Sequence, residues 1–250
     1  MHTRFLIKGI ACLCAVLVLG GAAQAPYPRH RGGGEAVDVS LVLAVDTSLS
    51  IADGEAGLQR IGYIQAFRDS RVINAIKGGP IGKIAVTYVE WSGLSQQRVL
   101  IPWRVLSDAA SARTFADELE KSPINVGNTT SISAALDFCV KLQEQSKFEP
   151  TRMVVDISGD GYSDYGRPMT SARDDAVKAG ITVNGLAVIN ENPLKNSAPL
   201  DLDVYYRDNV IGGPGSFYLV ARNVEGFRQS LIRKLVLEIA GLPPPRKPEG

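Results

Sequence analysis

Histidine is almost missing from this chain. It has two, His2 and His30, so the stretch from Glu35 onward has none. Ser-His-Asp and Cys-His nucleophile arrangements are thereby excluded, as is any zinc site built on imidazole. Cysteine is nearly as scarce. Of three, Cys12 and Cys14 fall in the first 25 residues and only Cys139 lies beyond them, which leaves it no partner for an intramolecular disulfide there. Neither charge is in excess. Lys and Arg number 27 against 26 Asp and Glu, which argues against nucleic acid as a partner, because such a surface needs a basic surplus to displace counterions from phosphates. An apolar content of 45% with 21% charged residues is that of one ordinary globular domain.

The first 25 residues read as an export signal rather than as fold. Arg4 and Lys8 precede an uncharged stretch, residues 9–23, and Ala23-Gln24-Ala25 gives the small-x-small pattern of a cleavage site. Fifteen such residues fall short of the roughly 20 that span a bilayer, so no stable membrane anchor is expected after cleavage. Without Arg4 and Lys8 the remainder carries 25 basic and 26 acidic residues, a formal charge of −1. Residues 26–36, with Arg29, His30, Arg31 and three glycines, read as a flexible leader. The domain is expected over 37–241, and the Pro-rich residues 242–250 as a tail that does not pack. The expected location is the periplasm or the cell exterior.

From Glu35 two periodicities alternate. Residues 37–45 form a nearly continuous apolar run, as in a strand covered on both faces. Residues 54–76 carry apolar positions at helical spacing and stop at Gly78-Gly79-Pro80. Strands are predicted over 83–91 and 98–106, joined by so short a link that a hairpin is expected, which makes one strand antiparallel. Ser107-Asp108 reads as the cap of a helix over 109–121, and a further helix covers 131–145. Cys139 lies on the apolar face of that helix and reads as buried and inert. Then follow a strand over 152–157, a helix over 170–179, a strand over 181–188, a short helix over 200–206, a strand over 216–220 and a helix over 224–240. The fold class is α/β: a doubly wound, mostly parallel six-stranded sheet with one antiparallel strand and helices on both faces. Ligands of such sheets bind at the carboxyl edge of the strands.

Three loops at that edge carry polar chemistry. Asp46-Thr47-Ser48-Leu49-Ser50 follows the first strand, Gly127-Asn128-Thr129-Thr130-Ser131 precedes a helix, and Ser158-Gly159-Asp160-Gly161 follows the fourth strand. Hydroxyls and carboxylates without nitrogen or sulfur donors suit a hard divalent cation, Mg²⁺ first, with Mn²⁺ or Ca²⁺ next. Each loop also has a plainer reading, since Asp46 and Ser131 are favoured helix caps; it is the three together that point to a site.

On these residues the chain resembles a von Willebrand factor type A domain with a metal-ion-dependent adhesion site, over roughly residues 38–240. The family's Asp-x-Ser-x-Ser falls on Asp46, Ser48 and Ser50. Its threonine falls on Thr130 by register with Ala134-Ala135-Leu136, with Thr129 as the alternative. Its second aspartate, usually in Thr-Asp-Gly, falls on Asp160, where Gly159 replaces the Thr. The stretches Glu90-Trp91-Ser92-Gly93, residues 155–161 and residues 205–215 suggest a narrower resemblance, to exported bacterial proteins of this type catalogued as a domain of unknown function. The resemblance implies that Ser48, Ser50 and Thr130 touch the metal directly and that Asp46 and Asp160 act mostly through water or hydrogen bonds. It implies a protein-binding module, not an enzyme, in which the metal accepts a carboxylate from a partner's Asp or Glu.

Two other arrangements share some of these residues. A magnesium-dependent phosphatase with Asp46 as nucleophile needs an acid/base Asp two residues on, where Ser48 stands. An EF-hand loop starting at Asp156 needs Glu at its twelfth position, which is Arg167. A purely structural domain with a vestigial metal site is the remaining alternative. Trp91 and Trp103 are expected to pack in the core, and Asp164 and Asp175 to be solvated surface charges.

Overall fold

The computed structural model describes residues 33–48, 55–124, 127, 129–189, 201–222 and 224–242. The expected signal, most of the leader, Ser50 and nearly all of the tail lie outside these residues. Six strands, β1 (Glu35–Asp46), β2 (Ile84–Trp91), β3 (Gln97–Leu106), β4 (Phe148–Gly159), β5 (Ile181–Val188) and β6 (Tyr218–Ala221), form one sheet. Their order is β3-β2-β1-β4-β5-β6. Only the β2–β3 pair is antiparallel, as the short link between them required.

Side chains of alternate parity leave β1 toward two separate cores, which explains its unbroken apolar run. Val39, Leu41, Leu43 and Val45 pack under α1 (Glu55–Arg68), α2 (Ser70–Lys77), α3 (Ala109–Lys121) and α7 (Val224–Ala240). Val42 and Ala44 pack under α4 (Ile132–Glu144), α5 (Met169–Lys178) and the short α6 (Leu202–Tyr205), which runs into a π-helical turn, Tyr206–Val210. Edge-to-face pairs Tyr63–Tyr88 and Phe67–Phe115, with centroids 5.3 and 4.7 Å apart, join α1 to β2 and α3, each worth about 0.5–1.5 kcal/mol beyond its buried area.

Several boundaries differ from the sequence reading. β1 begins at Glu35, two residues inside the expected leader, and Gly33 and Gly34 donate to the Glu149 carboxylate on the neighbouring strand. The helix expected over 54–76 is two, because Asp69 accepts from the Arg71 amide and caps a new helix. β4 begins at Phe148 and runs through Pro150. That stretch pairs with β1 alone, since β5 joins only from Met153, so the proline occupies an edge. Trp91 is fully buried and Cys139 lies in the core, its thiol pushed up by burial. Trp103 is only half-buried, against Phe148. Asp175 is exposed but paired, 2.6 Å from Arg167.

A charged cluster sits in the core between the sheet and α7. Lys234, Asp156 and Glu238 are buried. The Lys234 ammonium lies 2.5 Å from Asp156 and also pairs with Glu238, one helical turn on. Asn184 of β5 donates to Glu238 at 3.0 Å. This placement ends the EF-hand reading, because Asp156 is an interior strand residue held by a lysine. Burial and then the Asp156 charge push the Glu238 carboxyl up to about 7, with Lys234 and Asn184 opposing. Burial raises Asp156 too, again against Lys234. A carboxyl that binds its proton more tightly in the folded state stabilises the fold below its unfolded pKa, and that contribution is lost as pH rises through the folded value. Stability in EDTA is therefore expected to fall as pH rises from 4.5, the ordinary Glu value, to about 7. Glu238→Gln should flatten that fall in urea titrations at pH 5 and pH 8. Equal slopes for both proteins would refute the assignment.

Candidate metal centre

The sheet's switch point falls between β1 and β4, where the chain leaves β1 to one side and returns on the other. Such a crevice outside the carboxyl ends of the strands is where doubly wound sheets hold ligands. Asp46 is the last residue of β1 and Asp160 follows the last residue of β4.

Beyond Asp46 the chain stays pinned to β2 for one more residue, with the Thr47 amide donating to the Trp91 carbonyl at 2.9 Å. The Thr47 carbonyl accepts from the Gly127 amide at 2.9 Å, and Ser48 forms a β-bridge with Gly127. These bonds bring in the second loop. Its other end is tied by the Ser131 amide to Ser92 and by the Thr130 carbonyl to the Asp164 amide, at 2.8 and 3.1 Å. Three segments distant in sequence are thus laced together by backbone hydrogen bonds. They converge at the side chains as well: the Thr130 hydroxyl donates to the Ser48 hydroxyl at 3.3 Å.

Asp46 is fully buried. One carboxylate oxygen accepts from the Ser48 amide at 2.8 Å; the other, Oδ2, has no hydrogen-bond partner among the described residues. Its carboxyl is held well above the usual range, first by burial and then by the charge of Asp160, while hydrogen bonds from Ser48 oppose and exposed Asp164 adds a smaller push. A buried acid whose ionisation a neighbouring acid opposes, and which has an orphaned oxygen, is what a cation relieves. The donor set fits a hard cation, since every side chain in it offers oxygen. Among the described residues no group of three or more His, Cys, Asp and Glu comes together.

The structure brings Asp46, Ser48, Thr130 and Asp160 to one place; Ser50 lies outside the described residues. Of the two threonines, Thr130 faces Ser48, while the Thr129 hydroxyl lies 2.2 Å from where a Gly93 β-carbon would be, against the hairpin. The capping reading holds for Ser131, which accepts from the Ala134 amide. Asp46 accepts from the Ser48 amide, and the next described helix starts nine residues later.

Sequence reasoning missed the bracing around the centre. Buried Arg60 of α1 pairs with buried Glu90 and donates to the Ser122 carbonyl at 2.5 Å, and Arg98 reaches Glu90 at 2.9 Å. Glu90-Trp91-Ser92-Gly93 thus supplies an ionic clasp, two backbone carbonyls that anchor Thr47 and Ser131, and a glycine beside Thr129. Its clustering of one acid with Trp, Ser and Gly at a strand end was the available signal.

Comparison with curated proteins gives no match. Among solved structures, proximal thread matrix protein 1 from the mussel byssus aligns with a TM-score of 0.59 at 13% identity, over 83% of this chain and 49% of that one. Another structure of it, with a zinc-occupied metal-ion-dependent adhesion site motif, aligns with a TM-score of 0.57 at 14% identity, over 81% and 46%. The pilus adhesin SpaC from Lactobacillus rhamnosus GG gives 0.58 at 14% over 84% and 31%, and a von Willebrand factor type A protein from Catenulispora acidiphila gives 0.55 at 11% over 82% and 43%. This chain therefore spans about half the length of the matrix protein and under a third of the adhesin. At these identities the likeness is one of fold, and the fold is that of the von Willebrand factor type A domain. A family model described as protein of unknown function (DUF1194) matches residues 36–243, and the chain belongs to that family.

Proposed function

We propose that this chain is an exported, divalent-cation-dependent protein-binding module and not an enzyme, with Asp46, Ser48, Ser50, Thr130 and Asp160 as its metal site. The observation that carries the reading is the buried Asp46 carboxylate, one oxygen without a partner among the described residues, beside Asp160 and the Ser48–Thr130 hydroxyl pair. The mussel matrix protein's zinc-occupied motif on the same fold supports it. A cation bound there, Mg²⁺ first and Mn²⁺ or Ca²⁺ next, supplies positive charge and an open position for a carboxylate from a protein partner's Asp or Glu.

The chain's own residues set the terms of that contact. Ser48 and Thr130 offer neutral oxygens and leave positive charge for an incoming carboxylate. Asp46, buried behind them, supplies compensating negative charge without being reachable by the partner, and its amide contact with Ser48 fixes its orientation. Among the described residues no helix is long and apolar enough to cross a membrane. The export reading rests on residues 1–25, and it places the module in the periplasm or outside the cell.

Calorimetry tests the site. Wild type is expected to bind Mg²⁺ or Mn²⁺ at one site, with Asp46→Ala and Asp160→Ala each losing measurable binding; unchanged titrations would refute the assignment. Capture from envelope extract with and without EDTA, using wild type and Asp46→Ala, tests the partner. A partner retained equally in all arms would make the domain structural.

A further inference from the structure

Gly159 stands where the resemblance expects threonine, so the centre lacks one hydroxyl on the β4 side. The space is not empty. A β-carbon on Gly159 would lie 3.0 Å from Asp46 Oδ2 and 3.0 Å from the hydroxyl oxygen of Tyr206. Both oxygens are buried and neither has a hydrogen-bond partner among the described residues. Tyr206 is wholly buried, at the start of the π-helical turn, an element often found at functional sites.

The route of its side chain is built into the sheet. A β-carbon on Gly185, in the interior of β5, would lie 2.5 Å from the Tyr206 ring. Glycine weakens a strand interior and often marks a close approach. Here two glycines on adjacent central strands, Gly185 and Gly159, clear one track, and the same tyrosine fills it from β5 to the carboxyl end of β4. Had the ring served only to fill the core, phenylalanine would do so without burying an unpartnered hydroxyl, which costs free energy. The hydroxyl ends at the same Gly159 gap as the orphaned oxygen of Asp46, with no hydrogen bond between the two.

The geometry points to Tyr206 as a positioning residue of the metal centre: its phenol borders Asp46 Oδ2 across the gap at Gly159 and supplies there the hydroxyl that a side chain on Gly159 would otherwise bring. The assignment rests on the metal-site reading above. It also gives a purpose to the stretch from Tyr205, which the five-residue constellation leaves unused.

Calorimetry with Mn²⁺, paired with thermal melts in EDTA, decides it. Tyr206→Phe keeps the ring and is expected to weaken Mn²⁺ binding about tenfold, about 1.4 kcal/mol, while the melt in EDTA does not fall. The double variant Tyr206→Phe with Gly159→Ser returns a hydroxyl to the gap and is expected to recover most of the lost affinity. Unchanged affinity in Tyr206→Phe, a lowered melt in EDTA, or a double variant no better than the single one would each overturn the role of Tyr206. If wild type itself binds no Mn²⁺, the metal centre falls and this inference with it, a result distinct from the other three.

Discussion

Lys234→Met should destabilise the fold by about 4 kcal/mol at pH 7 to 8 and by clearly less at pH 5. The lysine sits in the core between two carboxylates, Asp156 on β4 and Glu238 one turn along α7. Removing one partner of a buried ion pair costs about 3–5 kcal/mol, because the remaining charge is left without compensation. Here both acids would be left. They escape by taking up protons, and that uptake becomes easier as pH falls, so the penalty shrinks on acidification. For a domain of this size each kcal/mol moves the melting temperature by roughly 2–4 °C, so a drop of roughly 10 °C at neutral pH is expected by calorimetry. A pH-independent loss would show that only packing was disturbed. No loss at all would mean that Asp156 and Glu238 share a proton and have no need of the lysine.

That cluster was invisible in the sequence for a physical reason. Asp156 and Lys234 are 78 positions apart, and nothing local marks an acid in a strand as the partner of a lysine on a helix. The strands themselves were legible because a sheet covered on both faces requires apolar runs, and the hairpin was legible because five residues cannot connect parallel strands. The break between α1 and α2 was not, since Ile64, Val72 and Ile76, eight and four residues apart, keep helical spacing across the Asp69 cap. The candidate loop residues Asp46, Ser48, Thr130 and Asp160 could be named because polar residues after two strands and before one helix stand out against apolar flanks. The tyrosine beside them could not. Its reach depends on Gly185 and Gly159, each unremarkable alone, and on a turn whose path over β5 no local pattern encodes.

The second large effect is expected at Arg60→Met, in both stability and metal affinity. Arg60 and Glu90 are buried, and the guanidinium pairs with Glu90 while donating to the carbonyls of Ser122 and Pro123. These carbonyls end α3 and open the chain that leads to Gly127 and Thr130. Arg98 also touches Glu90, but from a side chain that is 44% exposed, so solvent weakens its compensation. Loss of Arg60 should cost about 3 kcal/mol and release the start of the Thr130 loop, weakening Mn²⁺ binding roughly tenfold, or about 1.4 kcal/mol. Arg60→Lys should not restore either property, because one ammonium cannot span a carboxylate and two carbonyls as a planar fork does. If Arg60→Met melts lower but binds Mn²⁺ as wild type does, the clasp braces the fold alone, and the bonds from Gly127, Ser131 and Asp164 suffice to hold Thr130 against Ser48.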